Sequence, residues 1–150
     1  MYTIIKLQVL TMPSNSKIVK EIHRLTIMAA SLALISVATG AFGAHALKSI
    51  ITAERLVTWQ TGVEYLMAHA LAILLVSRFK DSCNLTWLIW SLRCLFYGVT
   101  IFSGSLFLLV LLNKPIMGAI TPIGGLLMII GWLAFIVGLI KQSTDQNTSD

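Results

Sequence analysis

The chain has 150 residues, 57% of them hydrophobic and 11% charged, with a formal net charge of +5. An average soluble domain carries about 25% charged residues, so a chain this apolar would aggregate as a free globule in water. The positive balance does not indicate nucleic acid, because the basic residues lie before and between apolar stretches, as membrane topology requires.

Residues 1–24 read as a cytoplasmic N-terminal tail, poorly structured over 1–20, that carries Lys6, Lys17, Lys20 and Arg24. Met12 offers a second start, since 17–24 would still supply the basic charges. Four apolar stretches follow, at about 25–47, 59–77, 92–112 and 120–140. A helix rises about 1.5 Å per residue, so roughly 20 residues match the ~30 Å hydrocarbon core. The first stretch holds His45 as its one ionisable residue, and the last holds none. It resembles a signal peptide in its charge order, but the apolar run is too long for an h-region and a glycine-rich segment precedes Ala44-His45-Ala46. The expected fold is all-α, one compact bundle of four transmembrane helices over 25–140, with no second domain.

The connections have readable stops. Residues 48–58 suggest an amphipathic turn or two, and 77–84 form a polar loop. Asn113-Lys114-Pro115 ends the third span, because proline cannot continue a helix. Thr121-Pro122 predicts an N-cap followed by proline at the first helical position. Residues 141–150 read as a polar, disordered tail. Ala-His-Ala-Leu occurs at 44–47 and again at 68–71, at different positions within the spans, and reads as coincidence. Lys6, Lys17, Lys20, Arg24, Arg78, Lys80, Arg93 and Lys141 fall on one side, against Lys48, Arg55 and Lys114 on the other. This bias predicts both termini in the cytoplasm and a multi-pass protein of the bacterial inner membrane. Cys83 and Cys94 then lie toward the reducing side, with no metal spacing and no paired framework.

Small residues mark the expected helix contacts. Ser36, Gly40 and Ala44 recur every four residues, and Gly124, Gly131 and Gly138 every seven. Such strips allow close backbone approach in lipid. Packing within the chain is the plain reading, and a homodimer seam the sharper one.

Polar groups inside the spans carry whatever chemistry exists, since they are costly in hydrocarbon unless paired. Depth arithmetic sets His45, Gln60, Glu64 and Thr121 in an outer layer, and His69, Ser103 and Ser105 near the midplane. Arg93 falls at the inner edge, where it can snorkel. Tyr65 shares a helix face with His69, whereas Glu64 and His69 lie about 140° apart and do not form one metal site. The favoured reading is structural, with Glu64–His45 and His69–Ser103 clasping neighbouring helices. A ligand or ion site comes second and catalysis last.

Four segments carry a resemblance: GAFGAHAL at 40–47, WQTGVEY at 59–65 with His69, FSGSL at 102–106, and ITPIGG at 120–125 with Gly131-Trp132. They fall one per span. The chain over about 25–140 thereby resembles the uncharacterised family of small bacterial inner-membrane proteins that includes YgdD (domain of unknown function 423). The resemblance implies four spans and no assigned activity. It marks His45, Glu64, Tyr65, His69, Ser103, Ser105, Thr121 and Pro122 as motif positions. The tail 1–20 departs from the family's short N-terminus.

No HExxH, GxSxG, Walker loop or CxxC occurs, and no aspartate lies inside a span. No catalytic residue, metal ligand or cofactor is therefore assigned, and an enzyme is not expected. The expectation is a structural or interaction component whose partners are the lipid bilayer and a second copy or other membrane proteins, with no nucleic acid. The alternative is a small transporter, channel subunit or ligand-binding protein using His45, Glu64 and His69. A proton path through it would lack an inner acid or histidine.

Overall fold

The computed structural model describes residues 13–147. Lys6, the alternative start at Met12 and the last three residues of the polar tail lie outside them. The described residues form four helices: α1 Pro13–His45, α2 Ala53–Val76, α3 Leu85–Leu112 and α4 Thr121–Asn147. Short 3-10 turns at Leu47–Ser49, Ser77–Asp81 and Pro115–Ala119 connect them. Each helix is long and apolar enough to cross a membrane. The all-α four-helix architecture is the one that apolar runs of this length require, because a helix satisfies its own backbone hydrogen bonds without water.

The helices are longer than the apolar stretches. α1 begins at Pro13, so 13–24 is continuous helix rather than a loose tail. α2 and α3 begin at Ala53 and Leu85, well ahead of 59 and 92. α4 continues to Asn147, so 141–147 is helical and not disordered. Hydropathy marks the part of a helix that lies in hydrocarbon, whereas hydrogen bonding continues until a breaker or cap intervenes. Proline at the start of α1 is compatible with the first turn, where its missing N–H costs nothing.

The caps fix where the first two connections turn. Thr52 Oγ1 accepts the Arg55 backbone N–H at 3.4 Å, so the expected amphipathic segment is a tight turn and a helix start. Asn84 Oδ1 accepts the Thr86 N–H at 3.2 Å. α3 stops at Asn113, whose φ of 52° and ψ of 39° are left-handed, a conformation asparagine tolerates. Thr121 does not act as the predicted cap. The Pro115–Ala119 turn leads into α4 instead, with Ile123 N–H bonded to the Ile120 carbonyl at 3.1 Å, and the Thr121 hydroxyl turns toward α3.

α3 is the hub of the bundle. It packs against α1, α2 and α4, whereas α4 lies along α3 and meets α2 at His69–Trp132 and the turn after α2 at Phe79–Phe135. Leu88, Leu92, Leu95 and Val99 of α3 are fully buried, as are Ile73 of α2 and Ala29 of α1, with Val76 of α2 nearly so. Gly98 and Gly124 bring the α3 and α4 backbones together. A Cβ on Gly124 would lie 2.5 Å from Phe102 N and 2.7 Å from Gly98 O. Gly131 faces Leu95, and Gly138 faces Cys83 and Trp87. The seven-residue glycine strip is therefore filled by the chain's own α3. The α1 strip turns out differently. Ser36 and Gly40 face Val63 of α2, but Ala44 is exposed and Gly43 takes its place against the Trp59 indole. An i, i+4 row drifts around a 3.6-residue helix, so its third member leaves the contact face.

Candidate functional site

The polar side chains of the membrane zone are distributed by the α1–α2 and α2–α3 registers. The Ser36 hydroxyl donates to the Val63 carbonyl at 2.9 Å, and the Trp59 indole N–H donates to the Thr39 carbonyl at 2.9 Å. These contacts level Glu64 with Ser36 and Val37, and set His45 about two turns, or roughly 12 Å, further out. His45 and Glu64 are both exposed, and no hydrogen bond or ion pair joins them. The predicted clasp is absent because α2 begins at Ala53, which places Glu64 three turns inside the helix. The outer layer of His45, Gln60, Glu64 and Thr121 does not assemble.

Glu64 instead borders a lateral groove of about 480 Å³ between α1 and α2, together with Ser36, Val37, Gly40, Met67 and Ala68. Its carboxylate has no partner among the described residues. Along α2 it stands about 13 Å from Arg55 and about 21 Å from Arg78, well inside the span. An unpaired carboxyl at that depth is costly, and a group that approaches from outside the chain would relieve it.

The midplane pair His69–Ser103 is also absent. His69 Nδ1 donates to the Tyr65 carbonyl of its own helix at 3.0 Å, which fixes Nδ1 as the protonated nitrogen. Tyr65 stacks on Phe102, with ring centres 4.5 Å apart, and lies nearly parallel to the His69 ring at 5.8 Å. Trp132 meets His69 edge-on at 6.5 Å. Tyr65–Phe102 contact sets His69 about a turn away from Ser103. Ser103 and Ser91 are buried with hydroxyls that lack a hydrogen-bond partner. Ser105 does form a clasp, with Thr121 of α4: their hydroxyls lie 2.7 Å apart, while Ser105 also donates to the Phe102 carbonyl at 2.8 Å. Pro122, beside Thr121, occupies the first turn of α4.

Three contacts were not foreseen from sequence. Arg93 does not only snorkel: its Nε and one terminal nitrogen donate to the two carboxylate oxygens of Glu21 at 2.7 and 2.8 Å. The signal was an arginine at the inner membrane edge, but its carboxylate, Glu21, precedes the first apolar stretch, and only the continuous helix from Pro13 brings it against α3. Arg55 donates to the Val110 carbonyl and ties the start of α2 to the end of α3. Lys141 stands 5.1 Å above the Trp87 ring, an attractive cation–π distance. At the same end, Asn84 N–H bonds to the Gly138 carbonyl at 3.1 Å, and Cys83 is buried beside it. Burial pushes the Cys83 thiol up from its ordinary value. Among the described residues no three His, Cys, Asp or Glu side chains converge to hold a metal ion. The described residues offer separated hydrogen-bonding and charge-bearing groups on lateral faces, with no paired nucleophile and base among them.

Comparison with known proteins places the chain. The family model described as "Protein of unknown function (DUF423)" matches residues 39–125. The chain is 43% identical over 117 residues to the UPF0382 membrane protein SSP2132 of Staphylococcus saprophyticus, covering 77% of this chain and 95% of the relative. It is 42% identical over 117 residues to the UPF0382 membrane protein SAB0533 of Staphylococcus aureus, covering 77% and 93%. It is 40% identical over 119 residues to the UPF0382 membrane protein YwdK of Bacillus subtilis, covering 77% and 94%. No solved structure matches. Four membrane-length helices, the family match and these relatives agree, and the chain belongs to the DUF423 family of membrane proteins of unknown function.

Proposed function

We propose that the protein is an accessory, interaction component of the bacterial inner membrane, with both termini in the cytoplasm and no catalytic activity of its own. One observation carries this reading. Glu64 is unpaired deep in the span and opens onto a lateral groove between α1 and α2, rather than onto a lumen between the helices. A neighbouring membrane helix, from another protein or a second copy, would supply the missing hydrogen bond while Gly40, Ser36 and Ala68 allow close approach. The orientation rests on the excess of Lys and Arg on the side that carries both chain ends. The grooves at Glu64 and at Trp90 both lie on the periphery, which favours lateral contact over a conduction path.

The test is photocross-linking in the native membrane from a benzoylphenylalanine placed at Met67. A discrete protein adduct that fades in Glu64→Leu supports the reading. Lipid adducts alone, unchanged by Glu64→Leu, refute it. The transport alternative is tested in liposomes with a trapped pH dye: proton leak that vanishes in His69→Leu would replace the interaction reading. A reporter fluorescent only in the cytoplasm, fused to Asp150, tests the topology, and a dark fusion overturns it.

A further inference from the structure

A second groove, about 380 Å³, lies between α3 and α4 and is separate from the Glu64 face. Thr86, Trp87, Trp90 and Cys94 of α3 line one wall, and Ile130 and Ala134 of α4 line the other. Its size lies within the range of small-ligand sites. The groove is graded along its length. At one end stand Lys141, the Trp87 ring that it covers, and the exposed Thr86 at the start of α3. At the other end Cys94 and Ile130 sit inside the hydrocarbon zone. From Lys141 to Ile130 along α4 is about 16 Å, close to the ~15 Å hydrocarbon depth of one leaflet.

The charge distribution selects the sign of the occupant. Arg93 also approaches this wall, with its guanidinium 5.7 Å from the centre of the Trp90 ring, but Glu21 already takes both of its facing N–H groups. Lys141 holds its ammonium 5.1 Å from the centre of the Trp87 ring, which takes up only one side of it. The indole N–H groups of Trp87 and Trp90 and the Thr86 hydroxyl also make no hydrogen bond among the described residues. A lysine ammonium and, among the described residues, uncommitted indole and hydroxyl donors at the membrane surface, above an aromatic and aliphatic channel, match an anion joined to a hydrocarbon chain. The positive end of the α3 dipole adds to the same preference. Basic pockets between transmembrane helices bind anionic head groups by this chemistry.

We propose that the α3–α4 groove is a binding site for one anionic phospholipid, with its phosphate at Lys141 and Trp87 and one acyl chain laid along Trp90, Cys94 and Ala134. The site stands on observations independent of Glu64 and does not depend on the interaction reading above.

The experiment uses the full chain, purified and delipidated in a non-ionic detergent, and titrated with phosphatidylglycerol or phosphatidylcholine of matched chains. Thermal unfolding and the quenching of tryptophan emission by brominated-chain lipid are the two readouts. Phosphatidylglycerol should act saturably at an at least tenfold lower lipid concentration than phosphatidylcholine. Lys141→Gln should reduce that preference to near unity, and Lys114→Gln, at the far end of the bundle, should leave it intact. The Trp87→Phe/Trp90→Phe variant should lose the lipid-selective part of the quenching. Equal midpoints for the two lipids overturn the proposal. So does a preference that survives Lys141→Gln, or one lost equally in Lys114→Gln, since the latter marks a general charged annulus. Lys141 is exposed near the end of α4, so its substitution leaves the fold intact.

Discussion

Gly124→Ala is the sharpest probe of the packing that holds this bundle together. The added Cβ would meet Phe102 N at 2.5 Å, Gly98 O at 2.7 Å and Phe102 Cα at 2.9 Å. All three are backbone atoms of α3, so no side chain can swing aside. Ordinary contact begins near 3.4 Å, so the two helices must separate locally by about 0.9 Å. A gap of that size forfeits roughly a quarter to a half of the dispersion well for each contact it opens. Overpacking of this kind costs about 1–3 kcal/mol, and alanine's better helix propensity returns at most about 1 kcal/mol. The expected net loss is therefore about 1–2 kcal/mol, up to a thirtyfold shift in the folded fraction. Gly104→Ala is the control, because its Cβ would meet nothing within 4 Å. It should be neutral or stabilising by up to about 1 kcal/mol. Reversible unfolding in mixed micelles, followed by tryptophan fluorescence, measures both. If Gly124→Ala matches the wild type, or Gly104→Ala is equally damaging, the close approach of α3 and α4 is refuted.

Other expectations follow from individual contacts. Ser103→Ala removes a buried hydroxyl that has no partner, so the same unfolding assay should show no loss of stability. Ser36→Ala deletes the bond to the Val63 carbonyl and should cost about 0.6 kcal/mol, with roughly 1.7 as the ceiling. A double-mutant cycle of Arg93→Ala and Glu21→Ala should give a coupling of no more than about 1 kcal/mol, because both side chains are more than a third exposed. Cys83 should be alkylated by maleimide, in a Cys94→Ala background, more slowly at pH 7.5 than a free thiol. Its raised value leaves less thiolate, so the rate should climb about tenfold per pH unit through pH 9. A rate equal to that of a free thiol would contradict the burial of Cys83 beside Gly138.

Much of the architecture was legible in the sequence because it follows from one-dimensional physics. Four runs of about 20 apolar residues must be helical in hydrocarbon, and Asn113-Lys114-Pro115 stops α3 whatever surrounds it. The glycine row at 124, 131 and 138 announced a close helix contact by spacing alone. Its partner did not. Gly98 is one glycine in an apolar run, and only the placement of α4 across α3 gives it meaning. Helix ends were misread at Pro13, Ala53 and Asn147, because polarity reports the surrounding solvent and not the hydrogen bonding of the backbone. That error propagated to the polar groups. Moving the start of α2 to Ala53 carries Glu64 two turns away from His45, and the α2–α3 register separates His69 from Ser103. Ser105 finds Thr121, and Arg93 finds Glu21 across 72 positions of chain. Side-chain pairing depends on register and azimuth to within a single turn. The sequence determined which residues lie in the membrane and that they are helical, whereas the tertiary packing alone decided which polar groups meet and which are left facing outward.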